Sequence, residues 1–240
     1  MAKQLQRTAR GLLTLQIVCL TGCGVTNQVT CDLDYRNLGS LTFFSLEGEG
    51  VGVLTPSIVT GRETDKQIIG EVLSDVLEVS LQMANVVPLA QVLNRINAAG
   101  LAETYAAALA MYDMSGILPQ SSIERLGEAA RARYLAKISL ANFEQSQVER
   151  FGIAGFRVLS TNRTRIRLFL EIWDSTTGQI VWYANEELAI ASERATEEDL
   201  SVRGASTRAI NEMMATLLSA PIDPASGEEA VSICTSQPQA

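Results

Sequence analysis

Arg163-Thr164-Arg165-Ile166-Arg167-Leu168-Phe169-Leu170-Glu171-Ile172-Trp173-Asp174-Ser175-Thr176-Thr177-Gly178-Gln179-Ile180-Val181-Trp182 is the stretch that decides the fold. Ile166, Leu168, Leu170 and Ile172 fall at every second position, with Arg165, Arg167, Phe169 and Glu171 between them. Successive side chains of a strand point to opposite faces, so this is one strand with an apolar face and a polar face. Residues 174–178 are turn formers, and residues 179–190 read as the returning strand of an antiparallel hairpin.

Upstream of the hairpin, helical and extended signals alternate. Residues 134–143 read as a strand. Residues 41–46 and 51–54 read as extended segments around a glycine-rich crossing, and Pro56 ends the second of them. Thr64-Asp65-Lys66-Gln67 has the form of a capping box. Ile68, Ile69, Val72, Leu73, Val76 and Leu77 behind it make one apolar helical stripe. Residues 85–89 read as a short buried strand running into a helix that carries Leu89, Val92, Leu93 and Ile96, with Gly100 just past its end. Residues 101–114 are an alanine-rich helix, and Ser121-Ser122-Ile123-Glu124 opens another that runs to about residue 133. Residues 196–218 form the last helix, with Ala209, Ile210, Met213, Met214 and Leu217 facing inward. The fold class is therefore α/β (α+β): one domain over residues 41–220, with a single mixed β-sheet and helices packed on it in three layers. Residues 23–40 read as a polar tether and residues 221–240 as a flexible tail.

Composition narrows the chemistry. The chain has no histidine, which removes histidine-based triads and most zinc sites. Glu47-Gly48-Glu49-Gly50-Val51-Gly52 lacks the lysine and hydroxyl residue of a phosphate loop, and its two glutamates would repel phosphate. Glu186 and Glu187 are adjacent on a strand, so they point to opposite faces and cannot share a proton with each other. No catalytic group, cofactor, metal or small-molecule substrate is expected. The formal charge is −8. An acidic surface argues against nucleic acid and against electrostatic docking on anionic lipid. Arg163, Arg165 and Arg167 form the one basic patch, read either as a solvated face or as a docking surface for an acidic partner or cell-wall polymer. Trp173 and Trp182 flank the turn, as core or as an aromatic partner patch. Phe151 and Phe156 bound a loop, within an insertion over residues 145–164, that reads as a partner surface.

The N-terminus speaks about place. Lys3, Arg7 and Arg10 precede an apolar run over residues 11–20 and then Leu20-Thr21-Gly22-Cys23. About ten apolar residues make a secretory signal, since a membrane span needs ~20. The ending resembles the lipobox of bacterial lipoproteins, which implies cleavage after Gly22 and lipidation of Cys23. Residues 1–22 would then be a signal peptide. Removing those 22 of the 240 residues also removes three basic residues and no acidic one, leaving a net charge of −11. Membrane attachment would rest on the acyl chains. Gly24 follows the lipidated cysteine, and by the same resemblance the address is the outer membrane, facing the periplasm. Cys31 and Cys234 remain, either as a disulfide favoured by an oxidising compartment or as two unpaired thiols.

The strand ending Val53-Leu54-Thr55-Pro56, the Asn85-Val86-Val87-Pro88 segment, the Ile123-Glu124-Arg125-Leu126 helix start and the Trp173 to Trp182 hairpin together resemble one group. That group is the periplasmic lipoproteins similar to the curli secretion lipoprotein CsgG, with related anticodon-binding-like domains at the N-terminus of TolB and in lipoprotein activators of penicillin-binding proteins. The resemblance covers about residues 45–218. It implies a lipid-anchored, non-catalytic envelope protein whose partners are other envelope proteins or further copies of itself. A second implication is an oligomeric export subunit of the outer membrane. The channel family builds its pore from two transmembrane hairpins per subunit, and here residues 145–164 alone are long enough to supply one. A cell-wall-acting enzyme is a third reading.

Overall fold

Ile166, Leu168, Leu170 and Ile172 are all fully buried, and Arg163, Arg165 and Arg167 are exposed, as their alternation demands. The computed structural model describes residues 28–39, 41–58, 63–82, 85–153, 156–193 and 201–219. Its strands are β1 (Gln28–Asn37), β2 (Val51–Val53), β3 (Ser57–Ile58), β4 (Val86–Val87), β5 (Tyr134–Ile153), β6 (Phe156–Asp174) and β7 (Gln179–Glu193). Its helices, in chain order, are α1 (Phe43–Glu49), α2 (Glu63–Ser80), α3 (Leu89–Ala98), α4 (Ala102–Ser115), α5 (Gln120–Ala130) and α6 (Val202–Ser219).

All seven strands join one mixed sheet in the order β1-β7-β6-β5-β2-β4, with β3 also paired to β5. The β1, β7, β6 and β5 pairings are antiparallel, whereas β2, β3 and β4 pair in parallel. Helices cover both faces. On the first face α2 and α6 bury Ile69, Leu73, Leu77, Ala209, Ile210 and Met213 against Ile138, Leu140, Leu168 and Leu170. On the second face α3, α4 and α5 bury Val92, Ile96, Tyr105, Ile123 and Leu126 against Leu135 and Trp173. Each such aliphatic side chain contributes about 1.5–3 kcal/mol of transfer free energy, which is what fixes the helices to the sheet. Among the described residues, helices cover the second face at its β2–β5 end.

The turn at residues 175–178 forms where the sequence places it. The Asp174 carboxylate accepts from the backbone N–H of Thr176 at 2.9 Å and from its hydroxyl at 2.6 Å, and Gly178 takes a positive φ of 70°. Arg133 donates to Asp174 at 2.9 Å. Burial raises the Asp174 pKa, but the Arg133 and Thr176 hydrogen bonds outweigh it and hold the carboxyl below its usual range.

Several expectations give way. Residues 28–37 are not tether but strand: β1 pairs with β7 along its whole length, burying Leu33. Its polar residues alternate with Val29, Cys31, Leu33 and Tyr35, a pattern that looks like loop when only half the face is apolar. Residues 43–49 are helix rather than strand. Thr42 caps it, its hydroxyl accepting from the Ser45 N–H at 3.2 Å, and Gly50 closes it with φ 78°. Neither proposed capping box acts as one. Thr64 lies inside the first turn of α2, and α5 starts after Pro119 with no side-chain cap. Arg131, in the left-handed region at φ 54°, ends α5 earlier than expected. Across the insertion at 145–164, β5 and β6 run on as a paired hairpin, so Phe151 and Phe156 of the expected loop lie on strands, Phe151 opposite Leu159 and Ile153 opposite Phe156.

Candidate functional site

The uncovered part of the second face is built from four strands in register. Along β6, Arg163, Arg165 and Arg167 share the face as expected. On one side β5 sets Ser146, Glu144 and Asn142 opposite them. On the other, β7 sets Ala191, Ala189 and Glu187, and beyond β7 the facing β1 residues are Gln28, Thr30 and Asp32. Arg165 Nε lies 3.4 Å from Glu187 Oε1, and Arg167 donates to Asn185 Oδ1 at 3.4 Å with its guanidinium 5.4 Å from the Phe169 ring centre. The arginines are therefore not an isolated basic patch. Arg36, Arg163, Arg165 and Arg167 share the face with Asp32, Asp34, Glu144 and Glu187, so its formal charge is balanced. An antiparallel sheet with one solvated face places unlike charges across neighbouring strands, where they are mildly favourable.

Trp173 and Trp182 do not form a partner patch. Both are buried, and on opposite faces: Trp173 packs with Leu126 and Leu135, Trp182 with the α6 side. A register shift between Ile172 and Trp173 separates their faces. Trp173 donates its indole N–H to Glu171 Oε2 at 3.0 Å. Phe151 and Phe156 sit on paired strand backbone, and their side chains lie outside the described residues.

A second constellation escaped the sequence. Lys137 of β5 is completely buried beneath α4. Its Nζ donates to the Thr55 carbonyl at 2.8 Å and to Ser57 Oγ at 2.6 Å, and lies 4.8 Å from the Tyr112 ring centre. The Ser57 hydroxyl donates to Asp113 Oδ1 at 2.6 Å, and Tyr112 donates to Glu171 Oε2 at 2.9 Å. Burial lowers Lys137 to about 8, against the pull of Asp113 and Glu171. Burial also raises Glu171 and Tyr112. Lys137 is the lone charged residue of the otherwise apolar run 134–140 apart from Ser139, and that break in an expected core strand was its only signal.

A third lies on the first face. Glu186 of β7 is fully buried and faces Glu212 of α6, while Glu187 points the other way, as the strand alternation predicts. Neither Glu186 oxygen has a conventional donor. Burial, then the neighbouring Glu212, pushes Glu186 up to about 9. A protonated Glu186 donating to Glu212 engages one of those oxygens, and Arg208 holds Glu212 at 3.1 Å. The Cys31 sulfur and both carboxylates lie within 4.8 Å of one another, the spacing of a small metal site. The donors do not fit one, because Cys31 is disulfide-bonded and offers no thiolate.

Cys23, the 1–22 signal, Cys234 and the 221–240 tail lie outside the described residues. Among the described residues no helix is long and apolar enough to cross a membrane. No family model and no curated protein matches the chain. Among solved structures it is similar to the PelC dodecamer from Paraburkholderia phytofirmans, at 13% identity and TM-score 0.45, covering 82% of this chain and 100% of that one. It is also similar to a lipoprotein from Neisseria meningitidis, at 15% identity and TM-score 0.34, covering 71% of this chain and 92% of that one. A protein from Xanthomonas campestris is similar at 11% identity and TM-score 0.34, covering 75% of this chain and 84% of that one. Likenesses this distant carry no argument about what the chain does.

Proposed function

We propose that this chain is a lipid-anchored, non-catalytic protein of the bacterial cell envelope, held at the outer membrane through Cys23 and facing the periplasm. Its sheet would be an assembly surface for envelope proteins or for further copies of itself. The observation that carries the reading is the uncovered, charge-patterned section of the second face across β1, β7, β6 and β5. A non-catalytic role is supported by how the groups around the buried Lys137 are engaged: Lys137, Ser57, Asp113, Tyr112 and Glu171 bond to one another or to backbone. Tethering raises the effective concentration of such a surface for anything else held at the same membrane.

Two measurements test it. Fractionation of wild type and Cys23→Ala should move the variant from the membrane to the soluble fraction. Retention of Cys23→Ala with membranes would end the anchoring proposal. A photo-crosslinking residue placed at Arg165 in native membranes should capture protein, and absence of any adduct would remove the assembly surface.

A second reading is the oligomeric export subunit, kin to the curli secretion lipoprotein. Its support is the sheet's lateral edges. The outer edge of β1, and β5 beyond Leu140, have no strand partner among the described residues. The two strands run in opposite directions, so β1 of one copy extends β5 of the next in an antiparallel, head-to-tail contact that can close into a ring. Oligomer mass in detergent and ion conductance in bilayers decide this reading.

A further inference from the structure

We infer that the arginine face is a homodimer interface, in which Arg167 of β6 in one copy meets Asp32 of β1 in a second copy across a two-fold axis. The inference rests on the reading of the sheet as an assembly surface and names its partner.

The charges on this face are sorted into stripes. Arg163, Arg165 and Arg167 run along β6, and Asp32 and Asp34 run along β1 on the same face, followed there by Arg36. Asp32 and Arg167 are the two ends of one register row, with Glu187 of β7 between them. Strands two apart in a sheet are about 10 Å apart. The cationic and anionic ends of that row are self-complementary at that spacing. A half-turn about an axis parallel to the strands, above β7, exchanges the two sides of the face. Arg167 then meets Asp32 of the second copy, and the reverse contact forms by the same rotation. In the neighbouring rows Arg165 and Arg163 meet Thr30 and Gln28, whose side-chain oxygens accept hydrogen bonds.

The middle strand allows the approach. Along β7 the face carries Ala189 and Ala191, which leave room, while Glu187 is drawn sideways to Arg165 at 3.4 Å. Net charge points to the same occupant. The face is balanced although the chain carries −8, so two copies do not repel at this surface. An acidic protein or a polyanion would meet Glu144 and Glu187 beside Arg165 and Arg167, and Asp32 and Asp34 on β1, which selects against it. Exposed ion pairs are individually weak, so the dimer is salt-sensitive and gains from shared attachment to one membrane.

The test uses the full chain in detergent, followed by sedimentation velocity over a concentration series at low and high salt, with circular dichroism as the check on folding. Wild type is expected to associate at low salt. Asp32→Arg and Arg167→Asp are each expected to associate about tenfold more weakly or worse. Mixing the two single variants in equal amounts should restore association, because both contacts between positions 32 and 167 are then opposite in sign. A monomeric wild type, single variants that associate like wild type, or a mixture no tighter than its components each overturns the proposal. Charge-insensitive association would mean that copies join by their strand edges instead. Crosslinks at Arg165 to other envelope proteins alone would leave the assembly surface standing and remove the homodimer.

Discussion

Lys137 Nζ lies 4.8 Å from the centre of the Tyr112 ring, so one fully buried cation joins β5 to α4 across the second face. The same ammonium holds the Thr55 carbonyl and the Ser57 hydroxyl of the β2–β3 segment. Three parts of the chain distant in sequence are thus docked on one charge. Such a group is expensive to desolvate and is tolerated because its donors are used.

Lys137→Met should therefore cost about 1–3 kcal/mol at neutral pH, since two acceptors lose their donor while the volume is kept. The pH dependence carries the sign. Lys137 titrates at about 8 when folded and near 10.5 when free. Between those values the unfolded chain binds more protons, so the lysine's penalty is complete below 8 and stability rises with pH across the window. Urea titrations at both ends should show this rise in wild type and lose its lysine component in Lys137→Met. An identical pH slope in the two proteins would remove the assignment.

Glu186→Gln has the opposite sense. The buried carboxyl titrates at about 9, against an ordinary 4.5. Between these values the folded state holds a proton that the unfolded state has lost, so stability falls as pH rises. Glutamine keeps a donor for Glu212 and does not titrate. The variant should match wild type at pH 4.5 and exceed it by roughly 1–3 kcal/mol at pH 9. Equal thermal midpoints at the alkaline end would contradict the shared proton.

Gly127 tests how closely α5 packs on the hairpin turn. A Cβ there would overlap Ser175 Oγ and Cβ and lie 3.1 Å from the Ala132 carbonyl. Gly127→Ala should destabilise by about 1–3 kcal/mol, and adding Ser175→Gly should recover part of that. Gly48 in α1 is the contrast, because a methyl group there would meet nothing within 4 Å. Gly48→Ala should instead gain up to about 1 kcal/mol. Denaturant midpoints read both.

Cys31 is disulfide-bonded. The pairing proposed for it is with Cys234. Cys234→Ser should then free one thiol at Cys31, visible by alkylation and peptide mass, and lower stability by about 2–5 kcal/mol. A Cys31 that stays resistant to alkylation in that variant would assign its partner elsewhere.

Much of the fold was legible because its signals are local. The alternation over 163–173, the turn at 174–178 and the stripes of α2 and α6 each follow from period and residue type within a few neighbours. Residues 43–49 failed for the same reason. Their bulky side chains read as strand, and only the Thr42 cap and Gly50 stop carried the helix. The strand at 28–37 was hidden because it is an edge, half-buried and charged on its open side, as edges usually are.

Sequence alone determined the antiparallel hairpin, the shared face of Arg163, Arg165 and Arg167, and the opposed directions of Glu186 and Glu187. Those follow from a two-residue period that no partner can change. The tertiary structure decided which faces the helices cover. That choice buried Trp173 and Trp182, closed α4 over Lys137, faced Glu186 with Glu212, and set Asp32 in one row with Arg167. Burial and strand order depend on contacts between residues far apart in the chain, and the energy of a charge depends on its surroundings more than on its neighbours in sequence.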